Sequence, residues 1–428
     1  MQWLNLFNLT VGILFSVCYL YQYVYIVISL LKKPKRYPEA EKRCRYAVLV
    51  SARNEEAVIG QLCDSIRSQD YPKELIDICV VADNCTDRTR DIALAHGATV
   101  YERQNKDAVG KCYAIDHLLR SIWRDKGQDF YDGYFILDAD NLLDPHYVTE
   151  MNRAFCAGYR IVTSYRNSKN YGDNWISSGY ALWFMRESRH LNNVRSILGT
   201  GCVVTGTGFL VHKDIFKEQG GWIHTCLTED IEFTAHHLLK SEKITYCNDA
   251  IFYDEQPVKF SQSWHQRKRW VKGYLQILGK YTPRLIKRLF RKGDFSGFDL
   301  VMSLSPAFFL SAISAAVNLA ALLYAAVFLP ALVLPSLMGM LTTLAGAYLL
   351  FLLVSALTVF TERKRIHAST LCKILSVITT PIFIATYVPV SISALFSRVE
   401  WKPIEHRVSV SLNEVKEQRS KEKRRNAP

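Results

Sequence analysis

The chain has 428 residues, enough for two or three domains, and its apolar fraction of 49% lies near the globular average, so bulk composition alone does not announce a membrane protein. The formal net charge of +13 does not require nucleic acid: much of the excess sits beside apolar stretches and in the tail KEKRRNAP, where anionic lipid attracts each cation by about 1 kcal/mol. The 11 cysteines are scattered singly with no C-x-x-C pair, and they read as buried or free thiols in a reducing compartment rather than as disulfides or zinc ligands.

The average composition hides a segregation. Met1 to Leu31 carries no Asp, Glu, Lys or Arg, nor does Leu300 to Thr361, nor Ile374 to Ser397. A spanning helix needs roughly 20 apolar residues, so the first and third stretches are each long enough to cross once, and the second twice with a turn near Pro330 to Pro335. The first stretch lacks a basic leader and exceeds the usual apolar length of a cleaved signal, which predicts an uncleaved anchor over residues 1–31. Lys32, Lys33, Lys35 and Arg36 follow it, and RLIKRLFRK (284 to 292) precedes the second stretch, so the positive-inside rule places the region between them in the cytoplasm.

From Tyr46 to about Asp254 short apolar runs alternate with amphipathic ones, the pattern of a mostly parallel sheet flanked by helices. YAVLVS (46 to 51), DICVVA (77 to 82), ATVYE (98 to 102) and GYFILDAD (133 to 140) read as strands. Glu55 to Ser68, Asp87 to His96, Gly110 to Trp123 and Pro145 to Ala157 read as the intervening helices. Ligands of such sheets sit beyond the carboxyl ends of the strands, where SARNEE, DNCTD and DAD follow one another.

Asp138 and Asp140 bracket one residue at the end of an apolar strand. Two hard oxygen ligands together suit a divalent ion of the Mg or Mn type, although an ordinary acidic turn has the same sequence. Thr228, Glu229 and Asp230 open a helix expected over Ile231 to Lys240. The threonine and acids read either as an N-terminal cap or, for a carboxylate facing a sugar hydroxyl, as a general base. Lys111 lacks the G-x-x-x-x-G-K-[ST] frame of a nucleotide-binding loop, and reads as a diphosphate contact at a helix start or as a solvated surface lysine. TGTGF (205 to 209) reads as flexible backbone near a ligand or as a simple turn. QSWHQRKRWVKGY (262 to 274) interleaves four cations with Trp264, Trp270 and Tyr274 just ahead of the second apolar stretch.

Taken in order, VLVSARNEE, VVADNCTD, ILDADN, LTEDIEF and QRKRW, between an N-terminal anchor and C-terminal spans, resemble a membrane-integrated family 2 glycosyltransferase, the group of cellulose, chitin and hyaluronan synthases and ceramide glucosyltransferases. The resemblance implies an α/β GT-A (Rossmann-like) cytoplasmic domain over 45–258, interfacial amphipathic helices over 259–297, a transmembrane region over 298–397 and a basic cytoplasmic tail over 398–428. It implies that Asp83, with Glu55 nearby, contacts the uridine of a UDP-sugar. Asp138 and Asp140 would hold Mg2+ or Mn2+ and the diphosphate, joined by Lys111, and Asp230, with Glu229 beside it, would be the general base. Gln266, Arg269 and Trp270 fall on the Q-x-x-R-W signature, with Arg269 neutralising the departing UDP and Trp270 flooring the acceptor. Trp264, Lys268 and Lys272 are expected to be interfacial anchors. One departure is Ala82, which stands where the family often has the first of two acids.

The implied activity is inverting transfer of N-acetylglucosamine or glucose from a UDP-sugar to a growing β-linked polysaccharide or oligosaccharide, by a multi-pass protein of the cell membrane, with an accessory subunit as a possible partner. The alternatives are single addition to a membrane lipid and a non-catalytic scaffold of an export complex. No nucleic-acid recognition motif accompanies the basic residues. VEWKPIEH (399 to 406) resembles a segment that covers the nucleotide in some relatives, through Trp401 and His406 here. A cytoplasmic tail conflicts with four full crossings from an outside N-terminus, so Ile374 to Ser397 is expected to break at Pro381 and Pro389 into a re-entrant or interfacial pair.

Overall fold

A computed structural model describes residues 2–399, 406, 408, 410–415 and 417; Trp401 and most of the basic tail lie outside the described residues. Helix α1 (Gln2–Leu31) leads into a sheet of eight strands. These are β1 (Tyr46–Ala52), β2 (Ile76–Asp83), β3 (Thr99–Arg103), β4 (Gly133–Asp138), β5 (Leu142–Leu143), β6 (Ile161–Ser168), β7 (Phe209–His212) and β8 (Ile244–Asp254). Their order is β3-β2-β1-β4-β7-β6-β8-β5. The sheet helices are α2 (Ile59–Arg67), α3 (Thr89–Ala95), α4 (Lys111–Lys126), α5 (Tyr147–Cys156), α6 (Trp175–Arg186), α7 (Asn193–Leu198), α8 (Lys213–Gln219) and α9 (Glu229–Leu239). Beyond them run α10 (Phe260–Lys292), α11 (Phe295–Leu304), α12 (Pro306–Phe328), α13 (Val333–Glu362), α14 (Thr370–Ala385) and α15 (Tyr387–Phe396).

The near-continuous apolar runs of β1, β2 and β4 are buried on both faces, as parallel strands between helical layers must be. Alternation divides β1 cleanly. Ala47 and Leu49 face Ile115, Leu118 and Leu119 of α4, while Tyr46, Val48 and Val50 face Leu62 and Ile66 of α2 and Met151 of α5. The sheet is less parallel than the alternation suggests: β7 pairs antiparallel with both β4 and β6, and β5 antiparallel with β8. The short β7, arriving after three consecutive helical segments, is not a βαβ repeat, and no periodicity marks its direction. The expected helix from Glu55 instead begins at Ile59, because Asn54 turns the chain with a positive φ of 58° and Glu55 to Val58 form the turn that follows.

Among the described residues four helical stretches are long and apolar enough to cross a membrane: Gln2–Leu31, Phe295–Phe328, Pro330–Glu362 and Thr370–Phe396. Their faces leave large apolar side chains uncovered, among them Leu9, Val17, Leu20, Leu344 and Leu353. The turn at Pro330–Leu332 lies where the prolines imply it. The third apolar stretch does break, at Thr386, three residues before Pro389, which lies in the first turn of α15; Pro381 is accommodated inside α14.

Instead of several interfacial helices, α10 is one helix of 33 residues that continues through Pro283. Its buried stripe of Ser263, Arg267, Val271, Ile277, Tyr281 and Leu285 follows a helical face, with basic residues on the opposite side. Arg267 is clamped from beneath, donating to the Thr386 hydroxyl at 2.6 Å and the Phe383 carbonyl at 3.2 Å, with its guanidinium 4.6 Å from the Phe383 ring centroid. Trp264 packs with Val271 and Val390, and Lys272 donates to the Ala394 carbonyl at 3.4 Å, so both are engaged with α15.

A buried ion cluster ties the sheet domain to α11 and α1. The Arg195 guanidinium, fully buried, donates to both oxygens of Asp299 (2.8 and 2.7 Å) and to Glu187 at 2.6 Å, while the Tyr25 hydroxyl donates to Asp299 at 3.0 Å. Removing one partner of such a pair strands a charge. Asp299→Ala is therefore expected to destabilise the protein by about 3–5 kcal/mol, read as a lowered Tm in detergent.

Candidate active site

The topology brings chemistry to one edge. Strands β1 to β4, β6 and β8 run the same way, so their carboxyl ends, and the loop that enters the antiparallel β7, share one side of the sheet. A cavity of about 500 Å³ opens across that side, beneath the start of α9 and along α10 and α11. Glu55, Asp83, Asp138 and Asp140 line it from the strand ends and Glu229, Asp230, Gln266, Arg269 and Trp270 from α9 and α10, with Lys111 of α4 between them, at Asp138 and near Glu229 and Asp230. All ten residues singled out by sequence thus face one space.

At the sheet end, the TGTG loop holds the D-x-D. The Asp138 amide donates to the Thr207 hydroxyl at 2.9 Å, and the Lys111 ammonium bridges the Gly206 carbonyl (2.8 Å) and the Asp138 carboxylate. Gly208 sits at φ +71°, and a Cβ there would meet the Phe252 ring at 2.1 Å, so this loop admits no side chain at that point. Lys111 is not a solvated surface lysine. Burial alone would lower its pKa, and the carboxylates of Asp138, Glu229 and Asp230 outweigh that and raise it. Asp140 is buried, taking the Glu255 amide at 2.7 Å and the Asn141 side-chain amide at 3.2 Å. Burial would raise its carboxyl, but the charges of His406, Lys169 and Arg166 hold it below the ordinary range.

Glu55 accepts from His406 Nδ1 at 2.9 Å, so His406 lines the cavity beside it. Burial pushes the Glu55 carboxyl up against the pull of His406. The imidazole, which burial alone would lower, is pushed up to about 10 by Asp140 and Glu55. Asp83 accepts from Arg103 at 2.5 Å, and the strand pairing sets the two directly opposite one another.

At the helical end, Asp230 stands in the first turn of α9. Burial and the neighbouring Glu229 push its carboxyl up to about 7, against Lys111 and Arg269. The cap expected of Thr228 is not made: its hydroxyl makes no side-chain cap bond and is buried with no partner among the described residues. The reason is close packing by α10, since a Cβ on Gly273 would lie 2.4 Å from that hydroxyl. This approach brings Arg269, Trp270 and Tyr274 beside Asp230. Arg269 donates to the Leu227 carbonyl at 2.7 Å, Trp270 lies edge-on to Tyr180 and Phe184, and Gln266 Oε1 is buried with no hydrogen-bond partner among the described residues.

Sequence reasoning missed Arg103, Arg166, Asp254 and Glu187. Arg103 and Asp254 end strands β3 and β8, so the strand-end rule that found Asp83 and Asp138 would have reached them. Arg166 donates to Asp254 at 2.7 Å and lies 3.5 Å over the Phe184 ring; burial and Asp140 push the Asp254 carboxyl up to about 6 against that partner. Glu187 has no sequence signal, because it begins a π-helical turn, Glu187–Asn192, between α6 and α7.

Among the described residues no group of three or more His, Cys, Asp or Glu side chains is disposed to hold a metal ion. A Mg2+ or Mn2+ ion bound with substrate phosphates needs only one or two carboxylates and keeps several waters. The hard oxygens of Asp138 and Asp140 at the cavity wall fit that demand.

Comparison with known proteins places this arrangement. A family model described as glycosyltransferase like family 2 matches residues 43–273. A probable glycosyltransferase of Bacillus subtilis, YdaM, is 25% identical over 274 residues, 59% of this chain and 61% of that protein. A beta-monoglucosyldiacylglycerol synthase of a Nostoc species is 27% identical over 271 residues, 60% of this chain and 54% of that one. The chain therefore covers somewhat over half the length of these relatives. A mannosyltransferase from Pyrobaculum calidifontis, solved with GDP-Man and Mn2+, superposes with a TM-score of 0.58 at 17% identity, covering 90% of this chain and 99% of that one, which is a likeness of fold. The sheet is a GT-A sheet, and with more than half of its residues matched by the family model the chain belongs to the family 2-like glycosyltransferases.

Proposed function

We propose that the protein transfers a hexose from a UDP-sugar to the hydroxyl of a membrane-embedded lipid, with inversion at the anomeric carbon. The observation that carries the reading is the continuity of the cavity. It runs from Asp138 and Asp140, past Asp230 and Trp270, to Leu300, Ser303 and Leu304, which belong to α11 at the start of a candidate membrane span. A hydroxyl presented from the bilayer reaches Asp230 by that route. The Nostoc relative, named for making β-monoglucosyldiacylglycerol, supports a lipid acceptor and a β-linked product.

Asp230 takes the acceptor proton as the acceptor oxygen forms its bond to the anomeric carbon and the bond from that carbon to the diphosphate oxygen breaks. An α-linked donor then gives a β-linkage. Lys111 and Arg269, both close enough to act on Asp230, meet the charge developing on UDP, and Trp270 with Phe184 walls the acceptor side. Asp83 and Glu55 line the end left for the uridine. The divalent ion that Asp138 and Asp140 would hold supplies charge neutralisation at the diphosphate. The basic runs after α1 and along α10 support a multi-pass arrangement in the cell membrane with this site on the cytoplasmic side.

A second reading, extension of a β-linked glucose or N-acetylglucosamine polymer, is favoured by Gln266, Arg269 and Trp270 lying together in the cavity as the Q-x-x-R-W pattern implies. The test is UDP release in nanodiscs across a panel of UDP-sugars, followed by sizing of the product. One glycolipid of fixed size is expected. A ladder of products would move the reading to polymer extension, and UDP binding without turnover on any acceptor would favour a scaffold.

A further inference from the structure

The acceptor end of the cavity holds a carboxylate that the mechanism above does not use. Glu187 lines the same cavity as Asp230 and Tyr274, close to Trp183 on the preceding turn and to Ser303 on α11. It opens the π-helical turn Glu187–Asn192, and single π turns inside helices recur at functional sites because their irregular hydrogen bonding is otherwise unfavourable. Arg195 holds only its Oε1, at 2.6 Å; Oε2 makes no hydrogen bond among the described residues. Asp299 takes both other arms of that guanidinium, so Glu187 is fixed from behind rather than neutralised by a fork of its own.

We infer that Glu187 binds a hydroxyl of the acceptor headgroup and restricts the acceptor to neutral, hydroxyl-headed lipids. The inference rests on the lipid-acceptor reading above. A pinned carboxylate with one open oxygen is an acceptor for an O–H donor, and it orients that headgroup toward Asp230. The charges around this end are Glu187, Glu229 and Asp230, faced by Arg269, Lys111 and Arg166; Glu187, tied through Arg195 to Ser303 of α11, is the one nearest that helix, so a lipid phosphate entering past α11 meets a carboxylate before it reaches the cations. Leu300, Leu304 and Trp183 supply apolar wall for the first part of the tail. Arg195 and Asp299 act through Glu187 as positioning residues.

The experiment compares wild type and Glu187→Gln in phosphatidylcholine nanodiscs containing either dioleoylglycerol, a neutral lipid with one hydroxyl, or a polyprenyl monophosphate. Wild type is expected to glycosylate dioleoylglycerol and not the lipid phosphate. E187Q is expected to raise the KM for dioleoylglycerol roughly tenfold to a hundredfold, the range for losing a hydrogen bond to a charged group. Its kcat should fall much less, and its affinity for UDP, read by isothermal titration, should be that of wild type. An unchanged KM, or a rise that comes with lost UDP binding and a lowered Tm, overturns the inference and leaves Glu187 a structural partner of Arg195. Preference of the wild type for the lipid phosphate overturns it as well. Should E187Q not fold, Glu187→Asp keeps the charge for Arg195 but withdraws it by one methylene, and an unchanged KM there has the same consequence. If wild type glycosylates no lipid yet extends soluble oligosaccharides, the lipid reading itself falls, and the role of Glu187 with it.

Discussion

Asp230→Asn is expected to lower kcat by about 10² to 10⁴, the usual contribution of a positioned general base, while leaving UDP binding intact. Asparagine keeps the shape and the place in the first turn of α9 but cannot take a proton. The pH profile provides an independent check. With the carboxyl pushed up to about 7 by burial and Glu229, the base form predominates only above that pH. In wild type kcat/KM should therefore rise with pH through about 7 and level off, and the residual activity of the variant should lose that limb. A wild-type profile flat from pH 5 to 8 (about three units around the shifted value) would remove Asp230 from the proton-transfer step, and full turnover by D230N would do so more directly. The group is poised near neutrality by its surroundings: it sits on a helix start, which favours a carboxylate, yet it is buried beside another carboxylate, and the second effect wins.

Strands β1, β2 and β4 were legible because they are buried on both faces and so carry unbroken apolar runs, and because their polar ends stand out against those runs. The same contrast exposed Asp83, Asp138 and Asp140. What could not be read is what tertiary packing decides. The N-terminal cap at Thr228 was the natural reading of its sequence, but Gly273 lets α10 press against that hydroxyl, and no local pattern at 228 carries this information. Arg267 and Arg269 look alike in the basic run, yet the α-helical spacing of α10 turns one toward α14 and α15 and the other toward the cavity. Pro381 did not break its helix, and the break came at Thr386, where α14 gives way to α15 over the Arg267 clamp. Glu187 lies on a π turn, a register no sequence periodicity announces.

Asp138→Asn is expected to cost about 10² to 10³ in kcat and to abolish the response of turnover to added Mg2+ or Mn2+. Asp138 is the cleaner of the two carboxylates to test. Its side chain is 37% exposed, against 4% for Asp140 as a residue, so its loss removes an oxygen from the cavity wall without emptying the interior. Asp140→Asn should lose a similar factor in rate but also lower the Tm, because it leaves the buried Lys169 and the partly buried His406 and Arg166 facing one carboxylate fewer. Chelation of wild type with EDTA should reproduce the D138N defect, and restoring the ion should rescue wild type but not the variant. Lys111 sharpens the comparison. In D138N it loses its carboxylate partner and keeps the Gly206 carbonyl, so it remains at the same wall and still meets the diphosphate. UDP affinity without metal should accordingly survive in D138N, and the gain in affinity that metal gives wild type should be lost. Turnover by wild type that is the same with EDTA as with Mn2+ would leave neutralisation of the diphosphate to Lys111 and Arg269, and Asp138 would then be only the carboxylate that holds Lys111 in place.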